Sequence, residues 1–329
     1  MARPSAELTL PAGDDDLQRE WNRALDPVAT VEPGAVVRFD TPDARDGQFS
    51  LRTTVADLER MDHDRGMPLV GPLEIEGVEA GDVLEVQILD VRHGDVGWTM
   101  VYPGDRGVGL LPEEFPDWGL HVWDLSDGVG EFVDGIRVPL APFPGTIGVT
   151  PAEPGAHSTT PPRRVGGNLD TKYLTAGSTL YLPVEVDGAL FAVGDGHAAQ
   201  GDGEVCGGAI ETSLEITCRF ERRTDLSVDQ PHLRPGRRPD RTDGTTGPVP
   251  TYATTGVAGD LMDAAKRAVS ELVTHLHDRR GLSREKAYIL CSVAADLSIN
   301  ELVDEPHYVV SARLPEAVFP DETLPANHG

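Results

Sequence analysis

Residues 213–220 read Ser-Leu-Glu-Ile-Thr-Cys-Arg-Phe. Leu214, Ile216, Cys218 and Phe220 fall on one side of an extended chain. Ser213, Glu215, Thr217 and Arg219 fall on the other, which is the period of a half-buried strand. Upstream, Leu84, Val86 and Ile88 alternate with Glu85 and Gln87 in the same way, after the turn signal Glu79-Ala-Gly-Asp82. Further short strands are expected within 31–40 after a Pro-Gly turn, within 181–193 around an Asp-Gly turn, and at 307–315. Seven prolines between 136 and 165 exclude a long helix there. Residues 93–135 are rich in Gly, Asp and Trp with weak periodicity and read as long loops, and the polar stretch 222–250 reads as a surface excursion.

The period changes after Asp260. Leu261, Ala265, Ala268, Leu272 and Leu276 recur at three- and four-residue steps, so an amphipathic helix runs to Arg280 and stops at Gly281. Ser283 opens a second helix in which Ala287, Leu290, Cys291 and Ala294 can pack. The fold class is α+β, mainly β: an antiparallel, sandwich-like scaffold with two helices near the C-terminus. Residues 1–329 are expected to form a single unit, with a division into intimate subdomains 1–165 and 166–329 left open.

The 329 residues carry 28 Lys+Arg against 55 Asp+Glu, a formal net charge of −27, and just three of the cations are lysines. That field excludes nucleic acid and anionic membrane surfaces as default partners. No apolar run approaches the roughly 18–20 residues that span a bilayer. The first residues lack a secretory pattern, and Cys206, Cys218 and Cys291 are too scattered for a disulfide framework or a zinc ribbon. A cytoplasmic location is therefore expected. The acidic, lysine-poor surface suits a high-salt cell interior, the alternative being codon bias in a GC-rich genome.

One segment stands apart: Gly194-Asp-Gly-His-Ala-Ala-Gln-Gly-Asp-Gly-Glu-Val-Cys-Gly-Gly-Ala-Ile-Glu211. It reads as a glycine-rich loop between two strands, with Asp195, His197, Asp202 and Glu204 as oxygen and nitrogen donors. Asp195 and His197 share one side if the backbone is extended. Two chemistries are open: ligation of a divalent metal that acidifies a bound water, or a metal-free acid/base pair. The bland account is a solvated turn. Asn168 and Asp170 repeat the i, i+2 spacing in Gly166-Gly-Asn-Leu-Asp170, and Asp43 lies in a turn just after a strand. Cys206 lacks an adjacent activating base, and His275 and His277 point apart on a helix.

The run from Gly194 to Gly207 resembles the signature stretch of the acetamidase/formamidase family. Thr41-Pro-Asp-Ala with Gly47-Gln48, Gly71-Pro-Leu-Glu-Ile-Glu-Gly, Gly81-Asp-Val-Leu-Glu-Val, Pro142-Phe-Pro-Gly, Gly166-Gly-Asn-Leu-Asp and Leu290-Cys-Ser-Val-Ala-Ala-Asp-Leu stand in the family's order, so the resemblance spans residues 30 to 315. It implies a hydrolase of small, neutral, linear amides that yields a carboxylate and ammonia, cytoplasmic and a homodimer or higher homo-oligomer. The alternative is a metal- or ligand-binding homologue without turnover. The resemblance implies that Asp43, Asn168, Asp170, Asp195, His197 and Glu204 converge, with Gln200 and Glu211 near. On this reading Asp43, Asp170, Asp195 and His197 are the metal ligands, for zinc or calcium, with no organic cofactor. His197, Asp195, Glu204 and Glu211 are the catalytic groups, and Asn168, Gln200 and Asp202 bind substrate. Met67 stands where many members carry His or Asn, a departure that bears on the substrate.

Overall fold

The computed structural model describes residues 3–62, 65–236 and 250–319. Its principal strands are β1 (Val36–Thr41), β2 (Leu69–Ile75), β3 (Val83–Val101), β4 (Gly119–Asp124), β5 (Phe143–Val149), β6 (Gly166–Asn168) and β7 (Thr179–Pro183). They continue with β8 (Phe191–Ala199), β9 (Ile210–Arg223), β10 (His232–Arg234), β11 (Thr251–Ala258), β12 (Asp296–Glu301) and β13 (Tyr308–Pro315). The helices are the four-residue α1 (Val55–Leu58), α2 (Leu261–Arg280) and α3 (Arg284–Ala294).

The alternating stretch 213–220 lies in β9, around which the sheet is organised. The C-terminal part of β9 lies between β1 and β3, with Ile216 opposite both Phe39 and Val91. Its N-terminal part pairs with β8 instead of β1. The sheet is mainly antiparallel and curled, so strands distant in sequence close on one core. Phe39, Phe191 and Phe220, from β1, β8 and β9, are fully buried there and pack at ring separations of 4.9–6.2 Å. Each such ring withdraws enough apolar area from water to contribute about 2–3 kcal/mol.

The helices form a separate layer. Asp260 caps α2 by accepting from the Asp263 N–H, and Gly281 ends it in the left-handed conformation. Ser283 caps α3 through the Lys286 N–H. Ala264, Ala268, Leu272 and Leu276 bury against the β11–β13 sheet. Both helices, the Gly281 stop and the Ser283 start follow the sequence expectation. β12, between α3 and β13, was not expected.

Two expected loops are strands. Residues 93–101 continue β3, and β4 follows within the stretch read as loop. The pattern fails there because β3 leaves the main core at Val91, runs half-exposed through Arg92–Val96, and then buries Trp98 and Met100 under a satellite cluster with Phe49 and Leu58. No single period describes a strand that changes cores. Residues 194–199, read as a glycine-rich loop, continue β8. Their glycines serve close approach rather than turning. A Cβ on Gly194 would lie 2.6 Å from the Pro68 carbonyl oxygen, and one on Gly196 would lie 2.4 Å from that of Thr212. Within the polar stretch 222–250, β10 is present, and the excursion expected over 237–249 lies outside the described residues.

Candidate active site

β8 changes partner in mid-strand. Val193 and Gly194 pair with Val70 and Leu69 of β2, whereas Gly196 and His197 pair with Thr212 and Glu211 of β9. Asp195 sits at the change-over with φ 53. Six described non-glycine residues have positive φ, and three of them, Asp170, Asp195 and Glu204, are carboxylates of this one site. Asp tolerates that region better than most residues, yet three such positions together mark a backbone held by its surroundings. On its other edge β8 meets β5, with Phe143 opposite His197 and its ring set edge-on at 5.1 Å.

Gly145 of β5 is the floor. A Cβ there would lie 2.5 Å from Asp195 Oδ2, 2.6 Å from Asp170 Oδ1 and 2.6 Å from His197 Cε1. Its carbonyl also accepts from the Leu169 and Asp170 N–H groups at 3.0 and 3.2 Å, which fixes the turn carrying Asp170. The site therefore occupies the space that a side chain at residue 145 would take.

The imidazole of His197 is 1% exposed. Its Nδ1 lies 2.9 Å from Gln200 Oε1. The Gln200 amide nitrogen donates to the carbonyls of Asp170 at 2.8 Å and Asn300 at 3.3 Å. With its nitrogen so occupied, Gln200 presents oxygen to His197, so Nδ1 carries the proton. Nε2 then faces Glu211 Oε1 at 3.2 Å, Asp195 Oδ1 at 3.4 Å and Glu204 Oε1 at 4.0 Å. Asp170 Oδ1 lies 3.5 Å from Nδ1.

Burial sets the protonation of the cluster. It disfavours charge on His197, but Glu211 and Asp195 outweigh that and hold the imidazolium well above its usual range. Burial also pushes Asp170 and Glu204 well above the carboxylate range, with Glu204 adding to the rise at Asp170. Glu211 is pushed up to about 7 by burial, and Asp304 to about 6. Burial opposes ionisation of Asp195 as well, yet the neighbouring imidazolium keeps it below its ordinary value. Both carboxylate oxygens of Asp170, and Glu211 Oε2, are buried without a hydrogen-bond partner. Unpartnered buried carboxylate oxygens are costly unless a proton or a cation meets them. Among the described residues, three overlapping groups place ligand atoms within 4.8 Å of one another and could hold a metal ion: Asp170, Asp195 and His197; His197, Glu204 and Glu211; and Asp170, Glu204 and Asp304.

A cavity of about 290 Å³ opens on this cluster, walled by Arg45, Met67, Trp98, Tyr102 and Thr160. The Arg45 guanidinium donates to the Tyr102 hydroxyl at 2.5 Å. Asn168 also lines the cavity, but its amide is engaged: its oxygen accepts from Thr146 and its nitrogen donates to Asp304. Met67 lines the cavity too, with its sulfur 3.5 Å from Thr146 Oγ1.

Three residues take other places than the sequence suggested. Asp43 belongs to none of the three groups, because its Oδ1 accepts from the Arg45 and Gly47 N–H groups at 2.9 and 3.0 Å and so shapes the turn that carries Arg45. Gln200 stands behind the imidazole rather than in the cavity. Asp202 turns away, held by Lys172 at 2.9 Å and the Tyr173 hydroxyl at 3.1 Å. Asp304, Thr146, Gly145, Arg45 and Tyr102 were missed. Gly145 and Arg45 fall inside or beside ordered segments of the resemblance, Pro142–Gly145 and Thr41–Gln48, whereas Asp304 sits in an unpatterned turn with no signal to find it.

The sequence matches the family described as Acetamidase/Formamidase family over residues 7–158 and 152–321. It is 30% identical over 292 residues to a Schizosaccharomyces pombe protein whose name reads "Putative formamidase", covering 70% of this chain and 71% of that one. Its fold is similar to that of the crystal structure of a predicted acetamidase/formamidase from the thermophile Thermoanaerobacter tengcongensis, with a TM-score of 0.84, 28% identity, and 94% and 96% of the two chains covered. It is similar again to an acetamidase from Bacillus halodurans, with a TM-score of 0.83, 31% identity, and 94% and 98% covered.

Proposed function

The chain belongs to the acetamidase/formamidase family, and we propose that its His197 cluster hydrolyses the C–N bond of a small linear amide with the help of a bound divalent cation. The products are a carboxylate and ammonia. The observation that carries this reading is the imidazole geometry: Gln200 commits Nδ1 to a proton, so Nε2 points with Asp195, Glu211 and Glu204 into one buried space. The donor set is one imidazole and several carboxylates, some with unpartnered buried oxygens, which suits zinc or calcium.

His197 with Asp195 and Asp170 would hold the cation, which would take the place of the Nε2 proton that the imidazolium carries without it. The chemistry such a cation would supply is polarisation of the amide carbonyl and acidification of a water. Glu211, its proton affinity already raised toward neutrality by burial, would take a proton from the attacking water as its oxygen adds to the carbonyl carbon. The same carboxyl returns the proton to the departing nitrogen as the C–N bond breaks, so ammonia leaves and the acid remains. Glu204 is the second carboxyl within reach of this transfer. Arg45, Met67, Trp98 and Tyr102 line the cavity of about 290 Å³ that receives the acyl group. The dense carboxylates favour a neutral substrate over an anionic one.

None of the helices among the described residues is long and apolar enough to cross a membrane. The three cysteines are free, and we place the enzyme in a reducing cytoplasm. The test is ammonia release from a panel of short amides at low and at molar salt, by enzyme stripped of metal and then reloaded with zinc or calcium. Release restored by one of the ions supports the whole reading. Full release without metal retires the cation, and no release from any amide points to a ligand-binding homologue.

A further inference from the structure

Arg45 and Tyr102 line the catalytic cavity beside His197 and its carboxyl cluster, and among the described residues Arg45 is the one Lys or Arg that does so. Its backbone is held from both sides. The Arg45 N–H donates to Asp43 Oδ1 at 2.9 Å, and its carbonyl accepts from Gln48 Nε2 at 3.0 Å. Asp46, next along the turn, pairs with Arg19 and Arg65 at 2.7 and 3.0 Å. The Arg45 Nη2 donates to the Tyr102 hydroxyl at 2.5 Å. The Tyr102 ring in turn packs on Trp118 at a ring separation of 5.5 Å.

A hydroxyl that accepts from a cation turns its own proton away from that cation. Among the described residues, the Tyr102 hydroxyl donates to no protein acceptor. Burial, with the charges of Glu211 and Asp304, outweighs Arg45 and pushes this hydroxyl above its usual range, so the proton stays on at neutral pH. Arg45 polarises the O–H bond and makes Tyr102 a stronger donor than an isolated tyrosine. On the amide-hydrolase reading, the carbonyl of the reacting amide is directed to the cation and its N–H groups to carboxylates. Neither end of the amide calls for a further donor, which leaves Tyr102 to the acyl part.

We propose that the Tyr102 hydroxyl, oriented by Arg45, donates to an oxygen on the acyl part of the substrate, so that the preferred substrates are short, uncharged amides bearing a hydroxyl or carbonyl oxygen there. The proposal rests on amide hydrolysis at the His197 cluster and adds which amide. A plain alkyl chain would cover the Tyr102 proton without offering it an acceptor, and that loss is the source of the discrimination. A carboxylate on the acyl part would meet Arg45, but also the five carboxyls that line the same cavity. An uncharged oxygen meets the donor without that repulsion.

The test compares ammonia release by the full chain from amides paired for size: lactamide against isobutyramide and glycolamide against propionamide, with oxamate as the anionic member. Lactamide and glycolamide are expected to exceed their alkyl partners in kcat/KM by at least about tenfold, the size of one hydrogen bond. Tyr102→Phe is expected to bring both ratios close to unity. Should Y102F fail to fold, Arg45→Met, which removes the polarising cation, is expected to lower them too. Equal rates within each wild-type pair, ratios unchanged in the folded variants, or a preference for oxamate overturn the proposal while the amidase reading stands. Where no amide releases ammonia, calorimetric titration with the same pairs reads the ratio. Tighter binding of lactamide then keeps the Tyr102 contact and retires hydrolysis, and equal or undetectable binding overturns both.

Discussion

Gln200 Oε1 accepts from His197 Nδ1 at 2.9 Å while the Gln200 nitrogen is held by two backbone carbonyls, so one side chain fixes both the orientation and the tautomer of the imidazole. Partners of this kind typically contribute 10–100-fold to activity or metal affinity. Gln200→Leu should therefore lower kcat about 10–100-fold, with a smaller change in KM and a folded far-UV spectrum. A variant as active as wild type would mean that the imidazole is held by its other neighbours alone.

Gly145 predicts a sharper loss. A methyl group at this position meets three site atoms at 2.5–2.6 Å. Gly145→Ala must displace Asp195, Asp170 or His197, so turnover should vanish, with a stability cost of about 1–3 kcal/mol typical of overpacking. Activity measured beside a urea unfolding curve separates the two effects.

Asp43 distinguishes a ligand from a scaffold. Its carboxylate receives two backbone N–H groups and shapes the turn before Arg45. Asp43→Ala should keep the bound cation at wild-type stoichiometry, raise KM through a disordered Arg45, and cost about 1–2 kcal/mol of stability. Loss of the cation in this variant would instead restore Asp43 to the ligands.

Stability should depend on pH through a group far from the site. Burial, with the nearby charges of His232 and Arg234, pushes the His275 imidazole down to about 3 from 6.5. Its ring stacks on Tyr252 at 3.7 Å. Between those pH values the unfolded chain binds a proton that the folded chain refuses. The stabilisation is complete above about 6.5 and falls away as the pH drops toward 3. His275→Phe keeps the stacking and removes that proton. Its urea midpoint should fall less between pH 7 and pH 5 than that of wild type.

Much of this molecule is legible where one face of an element stays buried along its length. The alternation at 213–220 and the helical steps from Leu261 to Leu276 are of that kind, and Gly281 and Ser283 announce their own roles. Legibility fails where an element changes neighbours. β3 passes from one core to another at Arg92–Val96, and β8 exchanges β2 for β9 at Asp195, so glycines placed for close backbone approach look like loop residues. The site shows the same division. His197, Asp195 and Glu204 announce themselves by residue type within one segment, Asn168 and Asp170 by their own i, i+2 spacing, and the resemblance adds Glu211. Asp304 reaches the cluster through the chain's path alone, and nothing in Val303-Asp-Glu-Pro306 marks it.

The central claim is that the His197 cluster binds a divalent cation and hydrolyses a small amide with it. Its most direct test measures, on the same samples of wild type and His197→Ala, the metal bound per chain and the ammonia released from formamide and acetamide. Wild type should carry bound metal and release ammonia. H197A should lose metal and slow by at least about 10²–10⁴, the range of a principal acid/base group, while its melting profile shows a folded chain. A folded H197A variant with near wild-type ammonia release would contradict the account.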